Sequence, residues 1–190
     1  MSRAGSATRA RVVRSAKERM RRQGVGATSM LDAIADAGAS RGSLYHYFPG
    51  GKAQLIEEAT RLAVEEYTQA FLAADGLDAD QALPLVLAFW SAVVEESDFD
   101  AGCPVVAAAL GGGDVAAARE LAGAAFTDWT EILAGVLERS GVPADRVPAM
   151  ATLALAAIEG AVVMSLAQRT IEPVEQVVEA LGDLVRSAAA

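Results

Sequence analysis

One cysteine, one histidine, six prolines and 5% aromatic residues are what this chain of 190 residues has of the side chains that most often mark a site or a scaffold. A single cysteine cannot form an internal bridge, which excludes a disulfide scaffold and suits a reducing compartment; a cytoplasmic location is expected. Zinc sites built from cysteine and histidine are excluded by number, so no metal and no cofactor is expected. A histidine-based triad would have to use His46. No long apolar stretch follows the N-terminal arginines, so no signal peptide is read. What is abundant is alanine, 42 residues. Alanine has the highest intrinsic helix propensity, and an all-α fold follows as the first expectation. A chain of this length buries about 70% of its unfolded surface, enough for a sizeable core without staples.

Charge of one sign is scarce in each half. Residues 1–52 hold ten basic and three acidic side chains, a net +7, and the remaining 138 residues carry −16 within a whole-chain −9. A basic head on an acidic body points to a polyanion at the N-terminal end. A solvated helix face explains charge alone equally well, so the local pattern has to decide.

Glycine and proline divide the chain into about nine helices with no convincing strand. The first spans residues 7–22 and stops at Gly24 and Gly26, with Val12, Val13, Ala16 and Met20 on its inner stripe. A short helix covers 29–37, with Thr28 or Ser29 as N-cap and Asp32 placed for a capping box. Gly38 and Ala39 make a turn, and Ser40 caps a third helix, 41–48, that Pro49, Gly50 and Gly51 end. Further helices are expected at 52–74, 80–96, 104–110, 114–139, 144–169 and 173–186.

Three short helices with a glycine turn before the last match the helix-turn-helix plan, whose final helix enters the major groove. Gly42 lets the backbone approach a phosphate closely; Arg41, Ser43 and His46 can reach phosphates or base edges; Tyr45 and Tyr47 pair rings with hydroxyl groups. Leu44 and Phe48 are expected to pack inward. Lys52, and the hydroxyls and amides at Thr28 and Ser29, are placed for phosphates, because helix N-termini attract anions. Arg3, Arg9 and Arg11 fit solvated charge equally well, and no contact is assigned to them.

The run from Gly38 through Ser40, Arg41, Gly42, Ser43, Leu44, Tyr45, His46 and Tyr47 to Phe48, followed by Lys52, resembles the DNA-binding signature of the TetR family of transcriptional regulators. Thr28, Ser29, Ile34 and Gly38 fit the preceding helix of that pattern. The spacing Phe48-Pro-Gly-Gly-Lys52 departs from many members and resembles the LmrA/YxaF-like branch; the extra glycine leaves the reach of Lys52 open. The resemblance implies a homodimer of all-α subunits. Heads of residues 1–52 bind a near-palindromic double-stranded operator, and bodies of residues 53–190 dimerise and hold a small-molecule inducer that releases the DNA.

In the body, residues 147–167 carry Glu159 as their one charged group. That length could span a membrane, but alanine and glycine dominate it and no second such segment exists, so a helix buried by a partner is the better reading and no membrane is expected. Thr152, Ala156 and Gly160 form a smooth ridge, while Val174, Val178 and Leu181 lie on a stripe of the last helix. Paired across a two-fold axis, the two helices would build a four-helix bundle at the dimer interface. The scarce large side chains Phe89, Trp90, Phe126, Trp129 and Met164, with Cys103, are the candidate lining of a lipophilic ligand pocket; taken singly, each also fits ordinary core.

Two rivals differ in class. Catalysis could use the adjacent carboxylates Glu57–Glu58, Glu65–Glu66 and Glu95–Glu96, but neighbours on a helix diverge by about 100° and do not converge on one ion. No enzyme is expected. A helical interaction module using the basic head for an acidic partner is the second rival, and it predicts binding insensitive to DNA sequence.

Overall fold

A computed structural model describes the backbone of residues 3–190, and the side chains of that range apart from 3, 4 and 44. Nine α-helices and no strand occur among the described residues. They are α1 (Arg3–Ala27), α2 (Met30–Asp36), α3 (Leu44–Tyr47), α4 (Gly51–Leu72), α5 (Ala79–Glu95), α6 (Pro104–Ala109), α7 (Ala116–Arg139), α8 (Val147–Gln168) and α9 (Glu172–Ala189). The all-α expectation and its glycine and proline breaks hold. The chain forms two compact units, Met1–Glu66 with Cys103–Ala124, and Tyr67–Gly102 with Ala125–Ala190.

The first unit is built on α1. Its helical backbone breaks at Gly24 (φ 75°, ψ 169°), the glycine expected to end it, although it starts earlier than the sequence suggested. Val12, Val13, Ala16 and Met20 are buried as predicted, with Ile34 from α2, Phe48, Leu55 and Ile56 around the start of α4, and Val105 from α6. Several basic residues of α1 do structural work instead of facing solvent. Arg19 grips Asp36 through Nε and Nη2 at 2.8 and 3.2 Å, and Ser15 Oγ donates to the same carboxylate at 2.7 Å. Arg11 Nε donates to the Ala37 carbonyl at 3.2 Å, closing the C-terminal end of α2. Lys17 pairs with Glu66.

The second unit packs α9 against α5 and α8. A capping box opens α5: the Asp78 carboxylate accepts from the Gln81 amide at 3.0 Å, and Gln81 Oε1 accepts from the Asp78 amide at 3.2 Å. Trp129 is fully buried. Its indole Nε1 donates to Thr68 Oγ1 at 2.8 Å, and its ring stacks on Phe71 with centroids 4.6 Å apart. The turn after α5 puts two successive non-glycine residues, Asp98 and Phe99, in the left-handed region (φ 55° and 56°). Ser97 Oγ accepts from the Ala101 amide at 3.1 Å, and Arg169 bonds Asp98 at 2.7 Å, which holds that turn.

Candidate nucleic-acid interface and ligand cavity

The helix-turn-helix geometry follows from a few local choices. Ser29 caps α2 in an extended conformation, its Oγ accepting from the Asp32 amide at 3.4 Å. At the other end Gly38 takes φ 65°, its amide donates to Ala35 O at 2.9 Å, and the Ala39 amide reaches Ile34 O at 3.0 Å. These are the two bonds of a Schellman termination, whose left-handed residue favours glycine. The chain then makes one 3-10 turn, Arg41–Ser43, before α3. Ser40 Oγ and Ser43 Oγ share a hydrogen bond at 2.8 Å, and the Ser43 amide donates to Ser40 O at 3.0 Å.

Ser40, Arg41, Gly42, Tyr45 and His46 are exposed, Ser43 and Tyr47 half-buried. Tyr45 keeps 73% of its surface. Arg41 and Tyr45, and likewise Gly42 and His46, are four apart and so lie one turn from each other on the outward side. Phe48 is fully buried beneath them, as expected; the Leu44 side chain is outside the described set. Lys52 Nζ donates to the Gly26 carbonyl at 2.9 Å, so its ammonium rests on the end of α1.

Thr28 differs from expectation. It is buried, its hydroxyl donates to Gly24 O at 2.8 Å and its amide to Val25 O at 3.2 Å. Both donors are spent closing α1, the local threonine-to-backbone bonding that competes with outward contacts.

In the second unit, a cleft of about 80 Å³ is lined wholly by apolar residues: Ala70, Phe71 and Ala74 of α4, Ala82, Leu83, Leu85, Val86, Phe89 and Trp90 of α5, Leu133 of α7, Ala154, Leu155 and Ile158 of α8, and Leu181 of α9. Phe89 and Trp90 are among the lining, their rings edge to face at 5.2 Å. The other four expected pocket residues are elsewhere. Trp129 lies behind Phe71, and Phe126 packs edge-on against Trp129 at 5.8 Å. Met164 is 51% exposed on α8. Cys103 is a buried residue of the first unit, at the N-terminal end of α6. Phe71, Leu133, Leu155 and Ile158 went unnoticed because such apolar liners share the spacing of ordinary core.

Among the described residues, no group of three or more His, Cys, Asp or Glu could hold a metal ion. The carboxylates of α4 serve as ion-pair partners: Glu57 pairs with Arg61 at 2.9 Å, and Glu58 with Arg9.

Comparison with known families decides what this arrangement belongs to. The family profile described as bacterial regulatory proteins, tetR family, matches residues 12–59, and that described as transcriptional regulator LmrA/YxaF-like, C-terminal domain, matches residues 79–180. The chain belongs to the TetR family of transcriptional regulators. A TetR regulator is a DNA-binding protein and not an enzyme. Relatives of this TetR protein include an uncharacterized HTH-type transcriptional regulator of Mycobacterium tuberculosis, 33% identical over 183 residues and 93% of each chain. The HTH-type transcriptional regulator LmrA of Bacillus subtilis is 27% identical over 186 residues, 94% of this chain and 97% of its own. A solved TetR transcriptional regulator from Chloroflexus aurantiacus superposes with TM-score 0.79 at 26% identity, covering 97% and 96% of the two chains.

The surface expected to join two TetR subunits is divided. On α8, Thr152, Ala156 and Gly160 are exposed, flanked by Leu153 (49%), Val163 (58%) and Met164 (51%). This is a continuous, largely apolar face. On α9 the expectation is overturned: Val174, Val178 and Leu181 are buried inside the subunit, where α9 meets α5 and α8. The stripe is genuine, but its cover is the chain's own neighbouring helices.

Proposed function

We propose that this TetR regulator binds a near-palindromic operator as a homodimer in the cytoplasm, represses transcription there, and is released by a small lipophilic molecule. The supporting observation is the short helix after the Gly38 turn, anchored by buried Phe48 and presenting Arg41, Gly42, Tyr45 and His46 outward. An exposed tyrosine beside an arginine on a basic head suits phosphate and base-edge contacts. Ser29, Ser40, Ser43, Tyr47 and Lys52 complete the DNA face. The apolar cleft lined by Phe71, Phe89 and Trp90 carries no charged side chain, which favours an uncharged lipophilic inducer. The exposed ridge of α8 is the dimer surface, and residues 1–52 act as the DNA-reading domain of a chain whose remainder dimerises and senses.

Selection of duplexes from a random pool by the full-length protein, followed by fluorescence anisotropy across a salt series, tests this. The expected result is an inverted repeat bound at least ~10³-fold more tightly than scrambled DNA, the lower end of the ~10³–10⁷ range of specific over non-specific binding, with affinity falling steeply in salt as counterions are released. Enrichment of no sequence would favour a basic interaction module instead.

A further inference from the structure

Arg9 has no contact assigned from the sequence, and the fold gives it three. Its Nε donates to the Tyr47 carbonyl at 3.4 Å, its Nη2 to Glu58 Oε1, and its guanidinium carbon lies 5.1 Å from the centroid of the Phe48 ring. Glu58 Oε1 also accepts from Gln54 Nε2 at 2.9 Å. Gln54 Oε1 in turn accepts from the Gly50 amide at 2.9 Å. A closed path therefore runs from α1 through Arg9, Glu58 and Gln54 to the Gly50 amide, and returns through Phe48 and the Tyr47 carbonyl. It encloses the C-terminal end of α3 and the turn that leads into α4.

The need for such a grip is physical. A four-residue helix behind one 3-10 turn is far below the length at which a helix sustains itself, so its orientation is set by what holds its two ends. The N-terminal end has the Gly38 termination; the C-terminal end has the Arg9 network. Both Arg9 and Glu58 are partly shielded, with 30% and 21% of their side-chain surface exposed, which strengthens a charge-assisted bond relative to one on the open surface.

We infer that Arg9, acting through Glu58 and Gln54, is a positioning residue for DNA recognition: it fixes the end of α3 so that Arg41, Tyr45 and His46 meet the duplex in one orientation. This rests on reading α3 as the recognition helix. The competing role for an arginine on this head is a direct phosphate contact, and Glu58 separates the two. If charge alone mattered, neutralising Glu58 would remove a repulsive carboxylate and tighten DNA binding. If Glu58 holds Arg9 in place, the same change loosens it.

The experiment uses the full-length chain with an operator duplex selected by the wild type and a scrambled duplex of equal length. Glu58→Gln and Arg9→Lys are each expected to weaken operator binding ~tenfold, the scale of one charge-assisted hydrogen bond. Binding to scrambled DNA and the salt slope stay unchanged, because no phosphate contact is lost. Hydrogen exchange adds a local readout: the Gly50 and Gly51 amides exchange faster in Glu58→Gln, while the amides in the middle of α1 and α4 do not. Arg41→Ala is the control for the underlying reading. If it abolishes selectivity while Glu58→Gln binds the operator as tightly as wild type or more so, the positioning role is wrong and the recognition helix stands. A salt slope reduced by about one in Arg9→Gln, which removes the charge that Arg9→Lys keeps, likewise overturns the positioning role in favour of a phosphate contact. If Arg41→Ala also leaves operator binding unchanged, the recognition-helix reading itself fails.

Discussion

Replacing Val163 by Asp should dissociate the proposed dimer without unfolding the subunit. Leu153, Val163 and Met164 keep 49%, 58% and 51% of their surface on α8, beside Ala156 and Gly160. Full burial of such a side chain is worth about 1.5–3 kcal/mol, so covering the exposed half contributes about 1 kcal/mol each. An isologous interface uses every residue twice, which brings these three to about 6 kcal/mol before the cost of association. Val163→Asp removes that contribution at two places and forces two carboxylates out of water, each at a penalty of several kcal/mol when unpaired. A loss of at least about 4 kcal/mol follows, roughly a thousandfold in the dimer Kd. Sedimentation equilibrium from nanomolar to micromolar protein measures it, with circular dichroism confirming that helix content is retained. The control is Glu175→Ala, on the solvent side of α9, which should leave the association constant unchanged. A Val163→Asp protein that sediments as the same dimer over the same range would refute the assignment of this face.

Three further predictions rest on single contacts. Trp129→Ala should cost about 3–5 kcal/mol by urea unfolding, because it empties a fully buried site and strips the stack from Phe71, whereas Thr68→Val, which removes only the indole's acceptor, should cost about 1–3 kcal/mol. Gly38→Ala should destabilise the head by about 1–2 kcal/mol through its positive φ, since the space around the Cβ is open, and an Asn at the same position should recover part of the loss in the same melt. The hydrogen bond from Arg19, then that from Ser15, holds the Asp36 carboxyl below its ordinary range. The folded state thus binds that proton less readily than the unfolded chain. The stabilisation is complete above the ordinary carboxylate pKa and disappears as pH falls through the lowered one. With Asp36 half exposed it amounts to about 0.2–1 kcal/mol, so Asp36→Asn should lower the Tm slightly at pH 7 and not at all near pH 2.

What the sequence disclosed, and what it withheld, separates along physical lines. Helix boundaries were legible because they are local: Gly24 breaks α1, Gly38 takes the left-handed conformation, and Pro49 with the two glycines ends the third segment. The exposed row on the short segment after Gly38 was legible for the same reason, since spacing along one short helix fixes which residues share a side. Partner identity was not local. The stripe on α9 could be seen, but an amphipathic pattern says which face is apolar and not what covers it; Val174 is covered by its own subunit. The roles of the basic residues were left open for the same reason, because a cluster of arginines reads the same from sequence whether it awaits phosphate or, like Arg9, Arg11 and Arg19, already serves carboxylates and carbonyls inside the fold. The cleft was half visible: Phe89 and Trp90 stood out by rarity, whereas Leu155 and Ile158 have the signature of any core residue.

The ammonium of Lys52 closes the open end of α1 by sitting on the Gly26 carbonyl. Whatever anion draws that cation away must leave the carbonyl to water. Under the proposed phosphate role of Lys52, the short stretch between Gly24 and Thr28 would tune how readily that ammonium reaches DNA. A substitution there that gives Gly26 another donor would release Lys52 in advance, and one that buries the carbonyl more deeply would detain it.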